Sequence, residues 1–159
     1  MTTRNTGLVA NFEAIPQVAN NAAELAGVLR TASGTVELLA GDSTDNDIVM
    51  LAPIPSNASI PQLFVGADEL GGTCTYNVGL YKTDGTVKDE DVFATLVADD
   101  AVLADVRFEE ANLNTGSQKL WQLAGDSTDP GGYFYVAVTF AATGGTAGTM
   151  NWNIHYVVN

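Results

Sequence analysis

The feature that most constrains this chain is a strict period of two near its C-terminus. Phe134, Val136, Val138 and Phe140 alternate with Tyr133, Tyr135, Ala137 and Thr139. Beyond a glycine-rich stretch at Thr143 to Thr146, Met150, Trp152, Ile154, Tyr156 and Val158 alternate with Asn151, Asn153, His155, Val157 and Asn159. Successive side chains of a β-strand point to opposite faces, so each segment reads as a strand with one buried and one wet face. The two are expected to pair as an antiparallel hairpin, with their Phe and Trp side chains anchoring the core.

The rest of the chain repeats this theme in shorter runs broken by Gly, Asp, Asn and Pro. Glu24 to Thr31 and Thr35 to Ala40 flank Ala32-Ser33-Gly34, which reads as a hairpin turn. Asp47 to Ala52 is a third run, Ser59 to Val65 a fourth and Thr73 to Thr83 a fifth, with Pro53 and Pro55 in a connecting segment. Lys82-Thr83-Asp84-Gly85-Thr86 carries the Asp-Gly signal of a tight hairpin. One helix is expected, from Val92 to Val97, because Asp89-Glu90-Asp91 would oppose its dipole and Val92, Phe93, Leu96 and Val97 would share a face. Residues 1–23 read as an extended arm, with a possible helix start at Ala19 to Ala23, and residues 24–159 as one domain. With 159 residues, 46% of them hydrophobic, the chain fills a core without covalent staples. These elements predict a single-domain, all-β antiparallel sandwich of eight or nine strands. A jelly roll is the expected topology, with an immunoglobulin-like sandwich as the alternative.

Charge narrows the function. Nineteen acidic residues face six basic ones, for a net charge of −13. The basic residues Arg4, Arg30, Lys82, Lys88, Arg107 and Lys119 are scattered singly, without the basic face that displaces counterions from phosphate. Nucleic acid and anionic membranes are therefore not expected partners. No apolar run reaches the about 18 to 20 residues of a membrane span, and the first residues lack the pattern of a secretory signal. The single cysteine, Cys74, forms no intramolecular disulfide and fits synthesis in a reducing cytoplasm.

The heptapeptide Leu-Ala-Gly-Asp-Ser-Thr-Asp occurs twice, at Leu39 to Asp45 and at Leu123 to Asp129. The preferred reading is two similar exits from strands into turns, since Gly and Asp suit tight turns. The chemical alternative is a calcium site pooling Asp42, Asp45, Asp47, Asp126 and Asp129, which requires the two loops to meet. The acidic group Asp84, Asp89, Glu90 and Asp91 reads as a solvated loop or helix cap. No catalytic constellation stands out, and no cofactor motif is present. His155 lies on the polar side of its strand, and Cys74 shares a face with Tyr76, Val78 and Leu80 as a buried, inert thiol. Trp121, Trp152, Tyr133 and Tyr135 either form a carbohydrate platform or pack into a core or interface.

Ile54-Pro55-Ser56-Asn57-Ala58-Ser59-Ile60, Leu63-Phe64-Val65-Gly66-Ala67-Asp68, Tyr76-Asn77-Val78-Gly79-Leu80-Tyr81, Asp84-Gly85 and Asp89-Glu90-Asp91-Val92-Phe93-Ala94 together resemble small virion proteins of tailed, particularly marine, bacteriophages. The resemblance spans about residues 50–95 and involves no catalytic position. It implies a decoration or cement protein on the outer surface of the head, often trimeric, with the major capsid protein as partner. The acidic charge agrees, because packaged DNA repels such a chain from the inner surface. Leu8, Val9, Phe12 and Ile15 of the arm are the expected capsid or subunit contacts. The alternative is a tail- or fibre-associated adhesion module that binds host glycans; a small hydrolase ranks last.

Overall fold

The computed structural model describes residues 6–20, 24–25, 27–99, 102–109 and 113–158. A short helix, α1 (Gly7–Glu13), precedes strands β1 (Leu29–Leu38), β2 (Ile48–Pro55), β3 (Ala58–Ala67), β4 (Thr75–Lys82), β5 (Val87–Ala98) and β6 (Ala104–Asp105). A 3₁₀ turn at Leu113–Thr115 and a one-turn helix, α2 (Leu120–Leu123), lead into β7 (Tyr133–Ala142) and β8 (Gly148–Val158). The strands form two four-stranded sheets in the orders β1-β8-β3-β6 and β2-β7-β4-β5, and every pairing is antiparallel. The chain changes sheet at each connection except β4 to β5. This is the strand order of an eight-stranded jelly roll, the topology expected from the strand pattern.

The alternation places the core as expected. Phe134, Val136, Val138 and Phe140 of β7 are buried, and they meet Met150 and Ile154 of β8 across the sandwich. Ile54, Ile60, Leu63, Val65, Tyr76, Val78, Leu80 and Phe93 complete the same cluster. The Asp-Gly turn also forms as expected. It joins β4 to β5, with Gly85 at φ +85° and the Lys82 amide donating to the Thr86 carbonyl.

Several local expectations are corrected. β7 and β8 do not form a hairpin: β7 lies between β2 and β4, and β8 between β1 and β3, in opposite sheets. Ala32-Ser33-Gly34 is no turn but the middle of β1, which pairs with β8 without interruption from Leu29↔Val157 to Leu38↔Gly148. Gly34 stands opposite Trp152, and a Cβ there would lie 2.7 Å from the indole Cζ2. The glycine is required by the aromatic ring beside it rather than by chain reversal. Pro53 and Pro55 belong to β2, an edge strand, where a missing N–H is tolerated.

The helix expected at Val92–Val97 is instead part of β5. β5 pairs with β4 through several register shifts, with Ala94 opposite Val78 but Asp89 opposite Leu80. The intervening residues bulge over β4, so the spacing of apolar residues is neither two nor helical. The close approach is made possible by Gly79, whose absent Cβ would otherwise lie 2.1 Å from the Asp89 carbonyl oxygen. The N-terminal arm is not simply extended, since Gly7–Glu13 is helical. Ala19 and Asn20 are not helical, and residues 21–23 of that expected helix start lie outside the described residues.

Candidate interaction surface

The N-terminal segment offers apolar groups to solvent. No residue of α1 is buried. Leu8 is half-buried, whereas Val9, Phe12 and Ile15 are exposed, Ile15 almost completely at 99%. The segment folds back on itself through local bonds: the Val18 amide donates to the Asn11 carbonyl, and Asn11 Nδ2 donates to Asn20 Oδ1 at 2.7 Å. A seven-residue helix is marginal alone, and its apolar residues gain only when covered.

The sandwich has four strand edges, and three are blunted. β2 carries Pro53 and Pro55, which lack N–H donors. β6 is only two residues long. β5 is broken by register shifts and carries Lys88, Asp89, Glu90 and Asp91. β1 is ten residues long, contains no proline and holds one register throughout. Its outer edge is paired to no other strand among the described residues. Between the β1 and β2 edges lies a cleft of about 460 Å³, lined by Val36, Leu38, Ile48, Val49 and Met50. Glu37, Asp42 and Asp47 also line it.

The two copies of the heptapeptide do not meet. The first leads from β1 into β2 and is tied to the far end of β7, the Asn46 amide donating to the Phe140 carbonyl and the Gly144 amide to the Ser43 carbonyl. The second leads from α2 into the start of β7, where Asp129 Oδ1 accepts the Ser56 hydroxyl at 2.6 Å. Roughly 25 Å of strand separates them, which rules out a shared ion.

The copies also differ in form. The first follows a strand and the second follows α2. Gly125 has φ +75° while its counterpart Gly41 does not adopt positive φ, and Ser43 is buried while Ser127 is exposed. Their carboxylates serve turns and one ion pair. Asp42 accepts the Leu39 amide, Asp47 the Thr44 amide, and Asp126 pairs with Lys88 at 2.6 Å. Asp45 meets the β7–β8 connection instead through its own amide, which donates to Thr143 Oγ1. The Ser56 hydroxyl and the Gly131 amide hold the Asp129 carboxyl below its ordinary range. Among the described residues no three His, Cys, Asp or Glu side chains converge as a metal-holding group.

The reactive candidates are separated. Cys74 is buried, and burial, then the Asp99 carboxylate, push its thiol up to about 11. His155 Nδ1 shares a 2.9 Å hydrogen bond with Gln62 and the ring stands edge-on to Phe64. The candidate aromatic platform divides as well. Trp121 and Trp152 pack against the core. Tyr135 is half-buried, and Tyr133 is exposed beside a cleft of about 290 Å³ that includes Lys82, Asp84 and Asp126.

One structural centre gave no signal in the sequence. Arg107 is 1% exposed. Pro61 follows Ile60 where the β3–β8 register slips between Ser59 and Gln62, and Arg107 Nε donates to the Ile60 carbonyl there at 2.7 Å. Its Nη2 donates to the Thr115 carbonyl at 2.9 Å, and the guanidinium lies 4.6 Å from the Phe108 ring centre and 5.1 Å from that of Phe93. Burial lowers its pKa to about 10, partly countered by Asp105, so it stays charged at neutral pH. The arginine ties β3 to the segment around Thr115.

No protein-family model and no curated protein matches this sequence. Solved structures do. A chain of the cyanophage Pam1 capsid asymmetric unit superposes with a TM-score of 0.54 at 17% identity, covering 84% of this chain and 86% of that one. A chain of the Ralstonia phage GP4 capsid superposes with a TM-score of 0.53 at 17% identity and the same coverage. Coverage that is nearly equal on both sides means that the matched chains are of similar length. Over most of its length, this jelly roll has the fold of a chain present in each of two phage capsids.

Proposed function

We propose that this is a structural virion protein that binds the outer surface of a phage capsid and stabilises the shell as a decoration or cement protein, with the major capsid protein as its partner. The observation that carries the reading is the near-full-length match to capsid chains of similar size. Such a small jelly roll reinforces a shell by adding buried interface between capsomers. The net charge of −13 disfavours a DNA-facing position and suits the outer surface. The exposed Val9, Phe12 and Ile15 supply apolar area for a clamp on a neighbouring chain. The protein acts by binding, not by catalysis; the buried Cys74 and the Gln62-bound His155 support that reading. Synthesis in the host cytoplasm precedes assembly onto the particle.

Quantitative mass spectrometry of purified particles against the major capsid protein tests the assignment. Hundreds of copies per particle are expected. A handful would move the protein to the tail or a single vertex, and absence from particles would remove the virion reading. Deleting residues 1–20 is expected to abolish capsid binding while leaving the sandwich folded; unchanged binding would dismiss the arm. The exposed Tyr133 beside its cleft favours the second reading, a tail-associated adhesion module, which glycan-array binding would reveal.

A further inference from the structure

The geometry points to the outer edge of β1 as a self-association site, where β1 of a second copy pairs antiparallel about a two-fold axis. An unpaired strand edge is a row of unused donors and acceptors, and folded proteins blunt such edges unless they use them. β2, β5 and β6 are blunted as described, whereas β1 is long and regular with no proline.

Charge selects the partner and the direction. A chain of net charge −13 repels its own copies, yet β1 carries one Arg30 and one Glu37 and is neutral. Arg30 lies near the strand's start, and Glu37 lies at its end beside Asp42 and Asp47. Antiparallel pairing centred on Ser33 sets Arg30, which has the inward parity of Val36 and Leu38, toward the cleft residues Asp42 and Asp47 of the other copy, while Glu37 lies on the opposite face; parallel pairing would set like against like. The outward-facing Thr31, Ser33 and Thr35 are small β-formers that suit a symmetric strand pair.

Apolar surface agrees. Leu25, Val28 and Leu29 lead into β1 with more than half of each side chain's surface exposed. In the antiparallel pair this lead-in arrives at the other copy's cleft between β1 and β2, lined by Val36, Leu38, Ile48 and Met50. The contact is isologous, so the cleft of each copy is filled by the other. This two-fold arrangement differs from the three-fold one that the phage resemblance implies. It does not depend on the virion reading, since it concerns the purified chain alone.

Sedimentation velocity of the full chain across the micromolar range tests it. The wild type is expected to be a dimer. Thr31→Lys with Thr35→Lys places like charges opposite each other and is expected to weaken the dimer about tenfold or more. Arg30→Glu is expected to weaken it, and Arg30→Glu with Asp42→Arg to recover part of the loss. Within one chain about 26 Å of β1 separates Arg30 from Leu38, beyond which the turn carrying Asp42 begins, so such a rescue operates only between chains. Circular dichroism melts confirm that each variant folds, and hydrogen exchange of wild-type β1 amides, slower at high than at low protein concentration, is the expected companion result. A monomer at all concentrations, a three-fold assembly, or a dimer indifferent to these β1 substitutions overturns the proposal.

Discussion

Replacing Arg107 tests the account of how the sheet bearing β1, β8, β3 and β6 is closed. Two charge-assisted hydrogen bonds run from the guanidinium to the Ile60 and Thr115 carbonyls. Bonds of this kind contribute roughly 1.5–3 kcal/mol each. The Phe93 and Phe108 rings add about 0.5–2 kcal/mol apiece. Against them stands the cost of burying the charge, several kcal/mol even after relaxation. Full replacement of a buried charged network by apolar groups can be neutral, but here the acceptors are main-chain carbonyls that no single substitution removes. Arg107→Met keeps the aliphatic bulk and orphans those carbonyls, so a loss of about 1–3 kcal/mol is expected. Arg107→Ala adds a cavity between the two phenylalanines, and about 3–5 kcal/mol is expected. Urea unfolding followed by Trp121 and Trp152 fluorescence measures both. At about 2–4 °C per kcal/mol for a domain of this size, the alanine variant should melt some 6–20 °C lower. If Arg107→Met matched the wild type within about 0.5 kcal/mol, the inferred role of these hydrogen bonds would be wrong.

Four further outcomes follow from the packing. Gly34→Val drives a branched side chain into the Trp152 ring and is expected to cost about 1–3 kcal/mol in thermal unfolding. Gly79→Ala should cost more, because the obstacle is the main chain of Asp89 and Glu90 rather than a movable side chain. Stability should fall as pH rises from about 9 toward 11: the Cys74 thiol stays neutral in the fold but ionises near 9.0 once unfolded, so the unfolded chain releases its proton first. Cys74→Ala should flatten that part of the profile, leaving the contribution of Tyr81, which burial shifts in the same direction. Because the two heptapeptide loops lie at opposite ends of β7, adding calcium after chelation should leave the melting temperature unchanged; a clear rise would show that one loop binds the ion alone.

Sequence patterns alone determined the class of the fold and much of its core. The alternation in β7 and β8 is local, since it reflects which side of a single strand meets solvent, and the Asp84-Gly85 turn follows from the conformations those two residues allow. Strand partners were not legible, because pairing is decided by contacts between residues far apart in the chain. β7 and β8 are neighbours in sequence yet lie in opposite sheets. Gly34 looked like a turn because nothing local announces a tryptophan 118 positions later pressed against its Cα. The bulge of β5 imitated a helix because its spacing is set by how it crosses Gly79 of β4. The repeated heptapeptide took two conformations, one after a strand and one after a helix, so identical local chemistry did not specify one shape. Arg107 looked like one more scattered surface charge until the β3 bulge and two phenylalanines closed around it. The edges of the sandwich were likewise decided only in three dimensions: the sheet order makes edges of β1, β2, β5 and β6, and of these β1 alone is long, regular in register and free of proline.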